Sequence, residues 1–358
     1  MNKNTNILHE INSFFREKEG DKPIRYMIKA MEQVGVDGRL ISNWKASNCQ
    51  FTPVQILHML ILLPFFGIKS IASFAKSEVH RICSADDNVL YDFLGRDDIK
   101  WRKILSNVTR RIIRKVSVRE DHVESKNPTC LIFDDTDFMK VGKHFELIGR
   151  IWSHVKNASV IGYKALFCCL TDGVTTTAYD FSLHGEKGKN ADKLQGFSAK
   201  DREARYSKTR EKDGPIAQRI SEYFESKIQV VIRMIRKAIN DGVDFEYVLT
   251  DSWFTCKELV AFVKSRHKKH FLGMIKMSKT QYVTDMGTLT ASTIVSKMTG
   301  KARKASIKIS RKLGMRYFEV AATLGETKVK LFFFSQGKNG EWKALLSTNT
   351  ALDAIRAY

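Results

Sequence analysis

The sequence predicts an α/β protein: a mixed sheet with helices, preceded by a helical N-terminal region and followed by a β-rich insertion. Three observations carry this. Hydrophobic spacing is helical up to about residue 125. From residue 129, two short apolar runs, TCLIFDD and FEYVLTDS, each read as a buried strand that ends in acid, with a hairpin and an amphipathic helix between them. From about residue 280 to 346 the chain alternates and carries four β-favouring runs.

In the N-terminal region, QFTPVQILHMLILLP opens with Thr52 and Pro53, a good N-cap and first-turn pair. Its greasy stretch is about fifteen residues long and contains His58 and Pro64, whereas a membrane span needs roughly 20. A buried helix is expected. Gly67 breaks it, and KSIASFAKSEVHRI follows as a second helical pattern, compatible with a helix-turn-helix. NVLYDFLGRDDIKWRKILSNVTRRIIRKVSVRE reads as a further helical stretch, with Arg110, Arg111, Arg114 and Lys115 on roughly one face. Such a face is either solvated or a phosphate-contacting surface.

Beyond TCLIFDD, the runs SVIGYKALFCCL (159–170) and VTTTAYDFSLH (174–184) read as strands joined by the Thr171-Asp172-Gly173 turn signal. Residues 185–214 are charged and lack an apolar face, so a surface excursion is expected. Residues 215–240 read as one long amphipathic helix, opened by Pro215 and closed before Asp241-Gly242. CKELVAFVKSRHKK reads as a helix and HFLGMIKM as a strand. ASIKISRKL, RYFEVAATL, KVKLFFFSQ and WKALLST follow in the β-rich insertion.

The domain boundaries expected are 1–125 for the helical, DNA-binding region, 126–278 for the core, 279–346 for the insertion and 347–358 for the start of a C-terminal segment. Lysine and arginine total 60 against 39 acids, a formal charge of +21, which favours a polyanionic partner, nucleic acid first. The basic residues are too scattered for a single membrane-binding helix. The N-terminus shows no apolar leader, and the six cysteines lack zinc spacing and sit in apolar contexts. Reduced cysteines and a cytoplasmic location are expected.

Asp135 and Asp251 lie 116 residues apart, yet each ends an apolar run. Carboxylates at the ends of neighbouring strands in a mixed sheet can converge. Two such groups suit Mg2+ or Mn2+, which keeps several waters and shares oxygen ligands with a phosphate. An acidic spot in so basic a chain is what metal-dependent nucleic-acid chemistry requires. The blander reading is that Asp135-Thr136 and Asp251-Ser252 only cap turns; Asp134 and Asp137 read as supporting or surface residues. Asp135-Thr136-Asp137 also superficially matches the D-x-D opening of haloacid dehalogenase-like phosphatases, although Phe138 and Met139 depart from that family's small residues.

FDDTDFMKVGKH followed by VLTDSWFTCKEL resembles the transposases of bacterial insertion sequences that have an RNase H-like DDE catalytic domain, most of all those with a β-strand insertion between the second Asp and the final Glu. The resemblance covers most of the chain. It implies that Asp135, directly before Thr136, and Asp251 are catalytic metal ligands. It also implies double-stranded DNA, both element ends and target, as partner, and a homodimer during transposition. Cleavage by water would be followed by strand transfer from the freed 3′-hydroxyl. The family's third carboxylate belongs to the pattern Tyr, two residues, Arg, three residues, Glu, six residues, Lys. LLSTN resembles the strand before it and Tyr358 its first residue, which puts the Glu seven residues past the end. Glu319, Glu326 and Glu341 read as surface or cross-strand charges. A truncated transposase with an incomplete catalytic set is therefore expected, the alternative being a non-catalytic DNA-binding fragment that inhibits full-length transposase.

Overall fold

The computed structural model describes residues 22–37, 51–77, 85–117, 128–190, 192–300, 303–337 and 340–358. The chain divides into two compact units, Met1–His122 with Thr209–Gln218, and Val123–Lys208 with Arg219–Tyr358.

The described part of the first unit is helical: α1 (Lys22–Gln33), α2 (Pro53–Phe65), α3 (Ile71–Phe74), α4 (Asp87–Leu94) and α5 (Trp101–Ser117). Thr52 caps α2 as its sequence predicts: its hydroxyl accepts from the Gln55 N–H, while Gln55 accepts from the Thr52 N–H at 2.9 Å. Ile56, Leu57, Leu62 and Leu63 of α2 pack with Phe74, Leu90 and Phe93 into one core. His58 is buried there and its Nε2 meets the Val36 carbonyl oxygen at 2.7 Å, so this histidine is a satisfied core group. One expectation changes. Over residues 87–117 the further helical stretch is two helices, because the chain breaks at Gly95 and resumes at Trp101. Of the second half of the helix-turn-helix reading, only the four-residue α3 is described; residues 78–84 lie outside the described residues.

The second unit is built on one sheet. Its strands are β1 (Cys130–Met139), β2 (Gly149–Ser153), β3 (Ala158–Thr171) and β4 (Thr176–His184), then β5 (Tyr247–Thr250), β6 (His270–Met274), β7 (Gln281–Thr284) and β8 (Gly287–Thr290), and last β9 (Lys308–Ser310), β10 (Met315–Leu324), β11 (Thr327–Gln336) and β12 (Trp342–Ser347). The main path runs β2-β3-β1-β5-β6-β12-β11-β10-β7-β8, with β4 on β3 and β9 on β10. β1, β5 and β6 are parallel and the other pairs antiparallel, giving the mixed sheet expected. The β-rich segment does not form a separate sheet, since β12 pairs with both β11 and β6.

The helices of this unit are α6 (Ala199–Glu203), α7 (Pro215–Phe224, whose first residues belong to the first unit), α8 (Lys227–Asn240), α9 (Lys257–Lys264), α10 (Ala291–Thr299) and α11 (Ala354–Ala357). Residues 215–240 form two helices where periodicity predicts one, because Ser226 turns extended and its hydroxyl accepts from the Ile228 N–H, capping α8. β2, an addition to the predicted strands, follows from GRIWS, where burial alternates residue by residue. The charged excursion is anchored by Phe197, which buries fully with Ile148, Tyr163 and Tyr223. The β3–β4 turn forms as its residues predict: Asp172 Oδ1 accepts from the Val174 and Thr175 N–H groups, and Gly173 takes φ +86°. The described cysteines, Cys130, Cys168, Cys169 and Cys256, are free thiols, and burial pushes Cys130 up to about 11. Cys49 and Cys83 lie outside the described residues.

The face of the sheet under α8 buries polar groups. His184 on β4 meets Ser182 Oγ at 2.7 Å, and burial, with the Lys227 charge, pushes its imidazole down to about 4. An unfolded chain binds this proton from about pH 6.5 downward while the folded one refuses it until about pH 4, so stability falls as pH drops through that window. Urea denaturation at pH 7, 6 and 5 should show a loss of about 1 kcal/mol per pH unit that His184→Gln removes.

Candidate active site

The site forms where β1 outruns its parallel neighbour. Cys130 to Phe133 pair with Tyr247 to Thr250; there β5 stops, while β1 continues to Met139 on β3 alone. The acids therefore lie within β1 and not at its end, a correction to the sequence reading. They begin at the residue where one side of β1 loses its neighbour. The next residues on the two strands are Asp134 and Asp251.

Pleat alternation splits the β1 acids between two faces. Asp134 shares the face of Ile132, in register with Leu249; Asp135 and Asp137 share the face of Leu131 and Phe133, toward α8. Burial raises the Asp134 carboxyl above the usual range, its bond from the Asp135 N–H at 2.8 Å pulls it back, and the charges of Asp251 and Asp135 raise it further. Asp251 Oδ1 accepts from the N–H groups of Trp253 at 2.9 Å and Phe254 at 3.3 Å, so it does cap a turn. Its second oxygen takes no part in that turn. Thr255 fixes the turn to β6 by donating to the Met274 carbonyl at 2.6 Å. A Cβ on Gly273, opposite Thr250, would stand 2.7 Å from the hydroxyls of both Thr250 and Thr255, so only glycine admits this approach.

On the other face, Lys227, the first residue of α8, forms an ion pair with Asp135. Its ammonium also lies 4.8 Å from the centre of the Trp253 ring, which is half exposed. Asp137 belongs to a different device. Lys164 donates to Asp137 Oδ1 at 2.6 Å and to the Trp152 carbonyl at 2.7 Å, both side chains being largely buried. Burial opposes the ionised Asp137, but bonds from Lys164 and Ser153 and the charges of Lys164 and His154 outweigh it and hold the carboxyl below its usual range. Sequence reasoning misses Lys227, Lys164 and Trp253. The N-cap Ser226 signals the start of α8, but nothing local pairs Lys227 with a residue 92 positions away.

Among the described residues, no group of three or more His, Cys, Asp or Glu side chains is arranged to hold a metal ion. The donors present are carboxylate oxygens from two strands. This open, hard-oxygen set fits an ion such as Mg2+, which binds one or two carboxylates and keeps water and phosphate ligands. Glu319 does not contribute: it accepts from the Ala354 N–H at 2.8 Å and pairs with Lys330 at 3.3 Å across the strands. Glu326 and Glu341 are exposed. The basic residues of α5 behave unequally. Arg114 and Lys115 are exposed, Arg110 and Arg111 half-buried, and Arg111 lies 3.9 Å from Asp37.

Over residues 66–291, well over half of its length, the chain matches the family described as DDE superfamily endonuclease. The chain belongs to this family, as its resemblance to insertion-sequence DDE transposases implied, and the mixed sheet is consistent with an RNase H-like DDE fold. These nucleases act on DNA and generally use divalent metals. No curated protein matches the chain. Among the described residues no helix is long and apolar enough to cross a membrane. The phosphatase reading falls with this family and with Asp137 committed to Lys164.

Lys164→Met should leave the Asp137 charge stranded and lower stability by about 3 kcal/mol, whereas Lys164→Met with Asp137→Leu should recover most of that loss. Denaturant midpoints of the three proteins measure it.

Proposed function

We propose that the chain acts as an insertion-sequence transposase that cleaves and joins DNA ends with Mg2+ or Mn2+ held by Asp135 and Asp251. The observation that carries this is the parallel pairing of β1 and β5, which brings the acids of one strand beside the acid that follows the other. Asp134 feels the charges of both Asp251 and Asp135 and adds negative charge close by. Bound there, the ion supplies charge neutralisation at the phosphate and activation of the attacking water or 3′-hydroxyl.

The protein's own groups set the stage. Asp251 is fixed by its turn and by the Thr255 anchor, so its second oxygen is presented without a rotamer search. Asp135 is held by Lys227 at the start of α8. The net charge of +21 favours the DNA backbone, and the exposed Arg114 and Lys115 of α5 are available for phosphate contact. Two copies would act together, one at each element end. A second reading rests on the open donor set: with no group of three or more metal-ligating side chains arranged to hold an ion among the described residues, the chain binds DNA without cutting, and interferes with complete transposases by occupying ends.

Asp251→Asn and Asp135→Asn should each lower Mg-dependent strand cleavage by about a thousandfold, the effect of several kcal/mol of lost charge stabilisation. They should leave low-salt DNA binding intact. Cleavage that survives either change overturns the metal assignment. No cleavage by the unmodified chain, with DNA binding retained, favours the second reading. Separately, changing Arg114 and Lys115 together to alanine should reduce the slope of log affinity against log salt by about two, whereas Arg111→Ala should change it less.

A further inference from the structure

The most telling unexplained contact is that between Lys227 and Asp135. A carboxylate meant for a cation already holds one, supplied by the chain. Lys227 is no surface lysine that happens to reach an acid. Its side chain is 16% exposed and that of Asp135 24%, and the break at Ser226 starts α8 at this lysine. The ammonium is bracketed by the Asp135 carboxylate and the Trp253 ring, and Trp253 is tied through its N–H to Asp251. Lys227 thus touches Asp135 by charge and lies against the ring of Trp253, the residue whose backbone N–H bonds Asp251.

We propose that Lys227 is a resident counter-ion: it neutralises Asp135 in the metal-free protein, yields that carboxylate to the divalent cation, and then pairs with an oxygen of the DNA phosphate brought to the same point. This rests on the metal reading above. Lys227 holds Oδ2 of Asp135, and an ammonium and a divalent cation cannot share one carboxylate oxygen at contact distance, so a cation that takes this oxygen, alone or with Oδ1, displaces the ammonium. The displaced ammonium stays tethered to the first turn of α8 and to the Trp253 face. The N-terminus of this fourteen-residue helix also favours an anion there. The incoming group that carries negative charge is the phosphate. Asp135 and Lys227 are thus each paired before and after loading.

Mn2+ binding measured by electron paramagnetic resonance on the full chain without DNA tests the first half. Lys227→Gln should tighten Mn2+ about fivefold, the worth of a partly exposed ion pair, while Lys227→Arg stays near the unmodified value. Unchanged or weaker binding in Lys227→Gln overturns the inference. If neither the unmodified chain nor Lys227→Gln binds Mn2+, the metal reading itself fails and this one with it. If binding depends on Asp251 but ignores Lys227, this one alone fails. On the unmodified chain, acetylation of Lys227 followed by mass spectrometry should quicken when Mg2+ is added; an unchanged rate overturns the exchange without needing a variant to fold. For the second half, the salt slope for a short duplex should drop by about 0.9 in Lys227→Gln when Ca2+ is present and not in EDTA. Equal slopes in Ca2+ overturn the handover.

Discussion

The geometry of the site depends on one constraint, the parallel register between β1 and β5. Parallel strands align without a hairpin to set their offset, so the offset comes from which apolar residues bury together. Leu131, Phe133 and Val248 are all fully buried, and Cys130 and Tyr247 close the lower end of the pair. A slip by one residue would turn each of these to the other face. It would also carry Asp134 past Asp251. The hydrophobic core therefore fixes the spacing of the charges: burial of side chains with no chemistry of their own decides which acids meet.

The second determinant is the break between α7 and α8. A continuous helix over 215–240 would have carried Lys227 wherever helical periodicity placed it. Instead Ser226 uses its hydroxyl to satisfy a free N–H, and α8 starts afresh with Lys227 in its first turn. From there the apolar side of α8, Val230, Val231, Met234 and Ile235, seats the helix on the sheet. Further along, Lys237 reaches Asp180 and Asp241, and Asp241 accepts from the Tyr179 hydroxyl. One helix thus meets the half-buried Asp135 and the buried Asp180 of the sheet with lysines toward its two ends, which lets an apolar interface coexist with ionised groups.

Much of this architecture is legible in the amino-acid sequence. The Thr52 cap, the Thr171-Asp172-Gly173 turn, the two acid-tipped apolar runs and most of the later strands follow from local rules, because each depends on residues within a few positions. The illegible features have a common cause. The helix break at Ser226, the burial of Phe197, and the pairings of Lys164 with Asp137 and Lys227 with Asp135 are set by partners far away in the chain. The extension of β1 through its acids escapes local rules for the same reason: acids are poor strand formers by themselves, and β3, paired from Gly162 to Thr171, holds them extended. DDTD gives no hint of which acid faces which side until the strand is known to continue.

That continuation explains why three acids can stand so close together. In a turn they would crowd one solvent patch. On an extended strand, alternation sends Asp134 to one face and Asp135 and Asp137 to the other, and each meets a different answer to its charge. Asp137 is permanently neutralised by Lys164 and is structural. Asp135 is neutralised by a lysine that stands at a helix end with an aromatic face beside it. Asp134 accepts from a backbone N–H, and its carboxyl resists ionisation because of burial and the neighbouring charges of Asp251 and Asp135. The repulsion left over is the one Asp134 feels from Asp251 and Asp135, at the place where β1 has lost a neighbour. Burial of the strands beneath holds these acids near one another against it.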